Sequence, residues 1–111
     1  MTIKSKNTSG VVAVLASDTV IHTVTGKIGV EAFNVFNTAA SDVLLNFYIS
    51  PDDTSANGDL VDSFAVAPGE EIDVNSIVGQ GYLDGTRIIM VADIVGVNAS
   101  FTYTQFVGGD I

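Results

Sequence analysis

Val43-Leu-Leu-Asn-Phe-Tyr-Ile-Ser50 is the stretch that decides the fold class. Its side chains divide with a period of two, Val43, Leu45, Phe47 and Ile49 against Leu44, Asn46, Tyr48 and Ser50. Successive side chains of an extended chain point to opposite faces, so this is the pattern of a β-strand with one face in a core. The first set is the expected core face. Small, polar Thr38–Asp42 precedes the stretch and Pro51–Asp59, PDDTSANGD, follows it; both are rich in residues that reverse a chain.

The same texture extends in both directions. Upstream, Val11–Ala16, Thr19–Val24 and Ile28–Asn37 read as strands, with Thr25-Gly26-Lys27 as a turn. Within Ile28–Asn37 the phase changes, since Ile28, Val30 and Ala32 alternate on one face while Phe33 and Val35 alternate on the other. A bulge near Ala32 reconciles the two. Downstream, Leu60–Ala67 places Leu60, Phe64 and Val66 in phase and ends at the turn Pro68-Gly69-Glu70-Glu71. Ile72–Val78 reads as a strand or a short helical turn, Gly79–Gly85 as a loop and Thr86–Ala92 as a β-branched strand. Val97–Val107 closes the series, alternating Val97, Ala99, Phe101 and Tyr103.

Nowhere does an apolar stripe of helical period appear. Seven or eight short strands separated by turns predict an all-β fold, an antiparallel β-sandwich or jelly-roll-like arrangement with little helix. Phe64, Val66, Ile88 and Phe101 are the expected partners of the Val43/Leu45/Phe47/Ile49 face.

At 111 residues the chain has material for one core. Residues 1–10, MTIKSKNTSG, hold two of the four bases and no acid, and read as an N-terminal arm; residues 11–111 read as a single β-sandwich domain. The 13 acids give a formal charge of −9, which argues against nucleic acid, because that affinity comes from Lys and Arg displacing counterions. The same charge disfavours anionic membranes, and no apolar run approaches the ~20 residues that span a bilayer. Without cysteine no disulfide can stabilise the domain. A mean hydropathy of +0.43 is high for a small monomer and points to apolar surface covered by another chain, hence a homo-oligomer.

The sites that could carry chemistry each have a plainer reading. Asp53-Thr-Ser55-Ala-Asn57-Gly58-Asp59 matches the opening of a calcium loop, but the twelfth position is Phe64 rather than a bidentate Glu, which favours a solvated loop. Gly79-Gln-Gly81 lacks the Lys-Ser/Thr of a phosphate loop. His22, in Thr-Val-Ile-His-Thr-Val, has no Gly-x-Ser-x-Gly elbow to serve, and the adjacent acids Asp52/Asp53 and Glu70/Glu71 fall in turns. No catalytic residue, cofactor or metal is expected, and the chain does not read as an enzyme.

Taken in order, His22-Thr-Val-Thr-Gly-Lys27, Asn37-Thr-Ala-Ala-Ser-Asp-Val43 running into Leu44–Ile49, Ala67-Pro-Gly-Glu-Glu-Ile72, Leu83-Asp-Gly-Thr-Arg-Ile88 and the closing strand Val97–Val107 resemble small β-sandwich virion proteins of tailed bacteriophages. The resemblance spans roughly residues 19–107, and the sequence departs from it at Thr25-Gly26, where Pro often precedes the Gly. It implies a non-enzymatic virion structural protein, a capsid decoration (cement) protein that binds and stabilises the head. The alternative is a tail, neck or fibre accessory module that recognises a host glycan or surface protein. It also implies a trimer, the major capsid protein or another virion protein as partner, and a place on the capsid surface or tail after synthesis in a bacterial cytoplasm. The basic arm, through Thr2, Ile3, Lys4, Ser5 and Lys6, is the candidate contact with the capsid or a neighbouring subunit, by strand addition to a sheet edge.

Overall fold

The computed structural model describes residues 3–107. The alternating segments form nine strands among these residues: β1 Ile3–Val14, β2 Thr19–Thr23, β3 Lys27–Asn37, β4 Val43–Ser50, β5 Asp59–Val66, β6 Glu71–Asp73, β7 Gly81–Leu83, β8 Arg87–Ala92 and β9 Val97–Val107. One short 3-10 turn, Ser55–Asn57, is the helical content. All pairings are antiparallel. The first sheet has the order β1-β9-β3-β6, with β7 also on β3, and the second β2-β8-β4-β5. The chain thus changes sheet at most connections, which is the jelly-roll order of two interlocked Greek keys.

Nine strands stand where seven or eight were expected. The difference lies in Ile72–Val78, which is neither one strand nor a helical turn. β6 pairs with Asn34–Phe36 and β7 with Lys27–Gly29, so the two are pieces of one interrupted edge along β3. Between them the chain leaves the edge and buries Val74 and Ile77. These side chains are three residues apart, and a period of two would send them to opposite faces. Leaving the ladder brings both inward. Backbone bonds from Val74 N–H to the Phe33 carbonyl and from Gly79 N–H to the Val30 carbonyl secure the excursion at 2.7 and 2.9 Å.

The phase change in β3 is resolved as expected. Its register with β9 shifts between Val30 and Ala32, so Glu31 is looped out and Ile28, Val30, Phe33 and Val35 all reach the core. Between the sheets, Phe33 meets the rings of Phe47 and Phe101 edge-on, with centroids 5.2 and 5.6 Å apart. Val43, Leu45, Phe47, Val66, Ile88 and Phe101 are wholly buried, while Ile49 and Phe64 pack partly buried against them. Full burial of a ring such as Phe47 stabilises by about 1.5–3 kcal/mol. Leu60 departs from the expected phase and is 57% exposed. The β4–β5 register slips between Phe47 and Tyr48, which turns Val61 toward the core and Leu60 away from it.

Candidate interaction site

β1 begins within the segment expected as an arm and runs through its boundary. Ile3, Lys4, Ser5 and Lys6 pair in register with Val107, Phe106, Gln105 and Thr104 of β9; Thr2 lies outside the described residues. A polar sequence can do this because the ladder is made by backbone groups. The register shifts between Thr8 and Val11, where Gly10 takes a φ of +84°, a left-handed conformation that favours glycine. Among the described residues β1 pairs with β9 alone, so its outer edge presents free backbone donors and acceptors. Lys27, one strand further in, also lies opposite Phe106 and holds its Nζ 5.9 Å from that ring's centroid. The four candidates Ile3–Lys6 are therefore consecutive on an open sheet edge, at the end of the sandwich that also carries Lys27.

At this end the Pro51–Gly58 loop folds over the outer face of the second sheet. Ser50, buried at its root, donates its hydroxyl to the Thr54 carbonyl at 2.7 Å and accepts the Asp52 N–H at 3.2 Å. The Asp52 carboxylate accepts the Thr54 N–H, the Thr54 hydroxyl and the Asn57 amide at 3.0, 2.8 and 2.7 Å. These donors favour the charged form and hold its pKa down at about 2, the Thr54 N–H contributing most. Further along, Asp53 pairs with Arg87 Nε at 2.9 Å and Ser55 N–H reaches Asp18 at 2.9 Å. The loop therefore passes across β8 toward the start of β2. Ile89, on that outer face, is fully buried.

Within the stretch that resembles the opening of a calcium loop, Asp53 is turned to Arg87 while Asn57 is turned to Asp52. Among the described residues no group of three His, Cys, Asp or Glu is placed to hold a metal. Asp52 and Asp53 face different partners, and Glu70 accepts the Ala67 N–H inside its own turn at 2.8 Å. His22 packs at a tilt against Tyr103 and Phe101, with centroids 4.4 and 5.2 Å away, and burial pushes its pKa down. It is packed as an aromatic ring.

The opposite end is organised by Asn37, the last residue of β3. Wholly buried, it donates Nδ2 to the carbonyls of Val66 and Ser41 at 2.8 and 2.9 Å and accepts the Ala39 N–H at Oδ1 at 2.7 Å. Its backbone N–H and carbonyl engage Glu70 and Gly69. One side chain thereby ties the β3–β4 loop to the β5–β6 turn. The β8–β9 turn joins them through Thr38, whose N–H and hydroxyl both reach the Gly96 carbonyl. At Gly96 an added Cβ would lie 2.6 Å from that of Ala39, and φ is +135°, so only glycine fits there.

Around this knot stand Leu15, Leu44, Ile94 and Val95, all exposed. Leu44 lies on the expected outer face of β4, whereas Leu15, Ile94 and Val95 lie in connections beyond the strand ends, where side-chain period no longer separates core from surface. Ala92 N–H bonds to the Leu15 carbonyl at 3.0 Å, Asp93 N–H to the Leu44 carbonyl at 3.0 Å and Leu44 N–H to the Asp93 carboxylate at 2.9 Å. The three segments are thus held side by side.

No protein-family model matches this chain, and no curated protein matches it. Among solved structures it is similar to a subunit of the Bacillus endospore appendages, described as disulfide-linked pili, with a TM-score of 0.58 and 14% identity over 96% of this chain and 89% of that one. That likeness is one of fold. A structure of PirA aligns at TM-score 0.43 and 14% identity over 94% of this chain and 93% of the other. One of infectious bursal disease virus, Gx strain, aligns at 0.34 and 18% over 98% of this chain and 30% of that chain. At those scores neither carries an argument.

Proposed function

We propose that this chain is a non-enzymatic structural protein of a particle surface, and within that class a capsid decoration protein of a bacterial virus that acts as a homotrimer. The observation that carries the reading is the placement of the basic N-terminal segment. It forms the open outer edge of a rigid jelly roll, where its backbone can extend the sheet of a capsid protein or neighbouring subunit. Jelly rolls recur in viral capsids, and the resemblance to tailed-phage virion proteins rests on turns that close this sandwich. The appendage subunits that share the fold belong to disulfide-linked pili. A chain without cysteine cannot form such disulfides, so any assembly of it needs other contacts.

The test is antibody labelling of particles purified from the producing culture, compared with a truncation lacking residues 1–9. Label on particle heads is expected for the full chain. The truncated chain should keep its circular dichroism, since β9 remains paired with β3, but bind particles weakly. Label confined to tails or fibres moves the protein to the accessory class. Equal decoration by the truncated chain removes the arm from the contact.

A further inference from the structure

Asn57 is the one asparagine of the chain that is followed by glycine, and in such a pair the bare glycine leaves its backbone nitrogen open to the neighbouring side-chain amide. The fold demands that glycine. A Cβ at Gly58 would lie 2.9 Å from the Ile49 carbonyl oxygen and 2.9 Å from the Ser50 Cβ, so the loop can close back on the end of β4 only without one. In the closed loop both reacting groups are held. Asn57 Nδ2 donates to the Asp52 carboxylate at 2.7 Å and to the Thr54 hydroxyl at 3.2 Å, while the Gly58 N–H donates to the Ser55 carbonyl at 3.0 Å. Asp53 on Arg87 and the Ser55 N–H on Asp18 pin the loop across β8. Beneath it lies Ile89. Ile88 and Met90 belong to the core between the sheets, so Ile89 points the other way, in a cross-strand row with Val20, Tyr48 and Leu60. Leu60 ends that row exposed, whereas Ile89 is fully buried.

We propose that Asn57-Gly58 is a self-modification site, protected while the loop is closed and, once it has reacted, unable to let the loop close again over Ile89. When the loop opens, the Gly58 nitrogen is released from Ser55 and attacks Asn57 Cγ. The N–Cγ bond forms, the Gly58 proton passes to the departing amide, the Cγ–Nδ2 bond breaks and ammonia leaves. Solvent water then opens the cyclic imide at either carbonyl, giving an aspartate or an isoaspartate at position 57. The donor that Asp52 accepted is gone, and a second carboxylate stands in its place. Two carboxylates at the 2.7 Å spacing of the Asn57–Asp52 bond repel each other, which opposes reclosure. In the isoaspartate the main chain also runs through the side chain, which lengthens it where Gly58 has no room to move. An opening that ends in reaction is therefore one-way.

Peptide mapping by mass spectrometry follows the replacement of NH2 by OH at Asn57 in mildly alkaline buffer, in the full chain and in a synthetic peptide of residues 50–60. The folded chain should react at least about tenfold more slowly than the peptide, because only its open fraction is reactive. Ser50→Ala loosens the root of the loop without altering Asn57 or Gly58, and should speed the reaction in the folded chain about fivefold. Asn57→Asp installs the aspartate product directly. Its Thr54, Ser55 and Gly58 N–H groups should exchange with deuterium about tenfold faster than in the unaltered chain, while the amides of β4 and β8 keep their rates. An apolar fluorescent dye should bind this variant more strongly, since Ile89 has lost its cover. Equal rates in chain and peptide, or no acceleration by Ser50→Ala, overturn protection by the loop. Unchanged loop exchange in Asn57→Asp overturns the release.

Discussion

At one end of the sandwich a wholly buried amide, Asn37, ties two loop connections together; at the other, buried Ser50 roots a loop that is then shaped by the outward-facing carboxylate of Asp52. Both arrangements replace backbone pairing that is lost where strands stop. They differ in what surrounds the replacement. Asn37 is wholly buried, so solvent does not reach it to replace a lost partner, whereas Asp52 is partly exposed to solvent. The energetic weight of the two ends should differ accordingly, although each uses several hydrogen bonds.

Phe47→Ala sets the scale for this comparison. The ring is fully buried midway between the ends, so its loss should lower the unfolding free energy by about 3–5 kcal/mol in urea titration. Next in size, Asn37→Ala strips partners from the Ser41 and Val66 carbonyls and the Ala39 N–H, and should cost about 2–4 kcal/mol. A loss under about 1 kcal/mol would mean that water enters this end, and the contrast would break. Ser50→Ala should cost about 1 kcal/mol, with faster proteolysis inside Pro51–Gly58 as its second readout.

The smallest effects are those of pH. His22 has its pKa lowered by burial, so between its folded value and 6.5 the unfolded chain binds the extra proton. Stability is fully present above 6.5 and declines as pH falls below it. His22→Gln should flatten that decline in urea midpoints taken from pH 7 to 5. Asp52 has the opposite origin, a carboxylate lowered from 3.8 to about 2 by the donors around it. Its contribution is present above 3.8 and disappears as pH falls through about 2. Asp52→Asn keeps an acceptor for Thr54 but loses the one for the Asn57 amide, and should lower the urea midpoint at neutral pH slightly, by less than Ser50→Ala. If instead it matched Asn37→Ala, the two ends would be equivalent and the comparison would fail.

Much of the fold was legible in residues 27–50 and 87–107. β4 occupies Val43–Ser50 and β9 occupies Val97–Val107 as the alternation predicts, and the β3 bulge falls where its phase breaks. Alternation is readable there because one face is dry and the other is not. It fails at Leu60, where the slip lies in the pairing between β4 and β5 and leaves no trace in the phase of β5 alone. It fails again at Val74 and Ile77, which are buried from a loop. The basic arm was legible as composition, but its pairing along β9 was not, since Ser5, Asn7 and Thr8 would suit a solvated tail equally well.

By itself the sequence determined that this is an all-β chain, where its strands alternate, which faces are apolar and that its bases are few. Those properties follow from side-chain period and charge, which are local. Only the tertiary structure decided that β1 lies beside β9, that Asn37 gathers loops distant along the chain and that Lys27 and Arg87 lie at the end away from that knot. Strand pairing is made by backbone groups that are the same in every residue. Its partners are chosen by how two whole sheets pack, and no single segment contains that information.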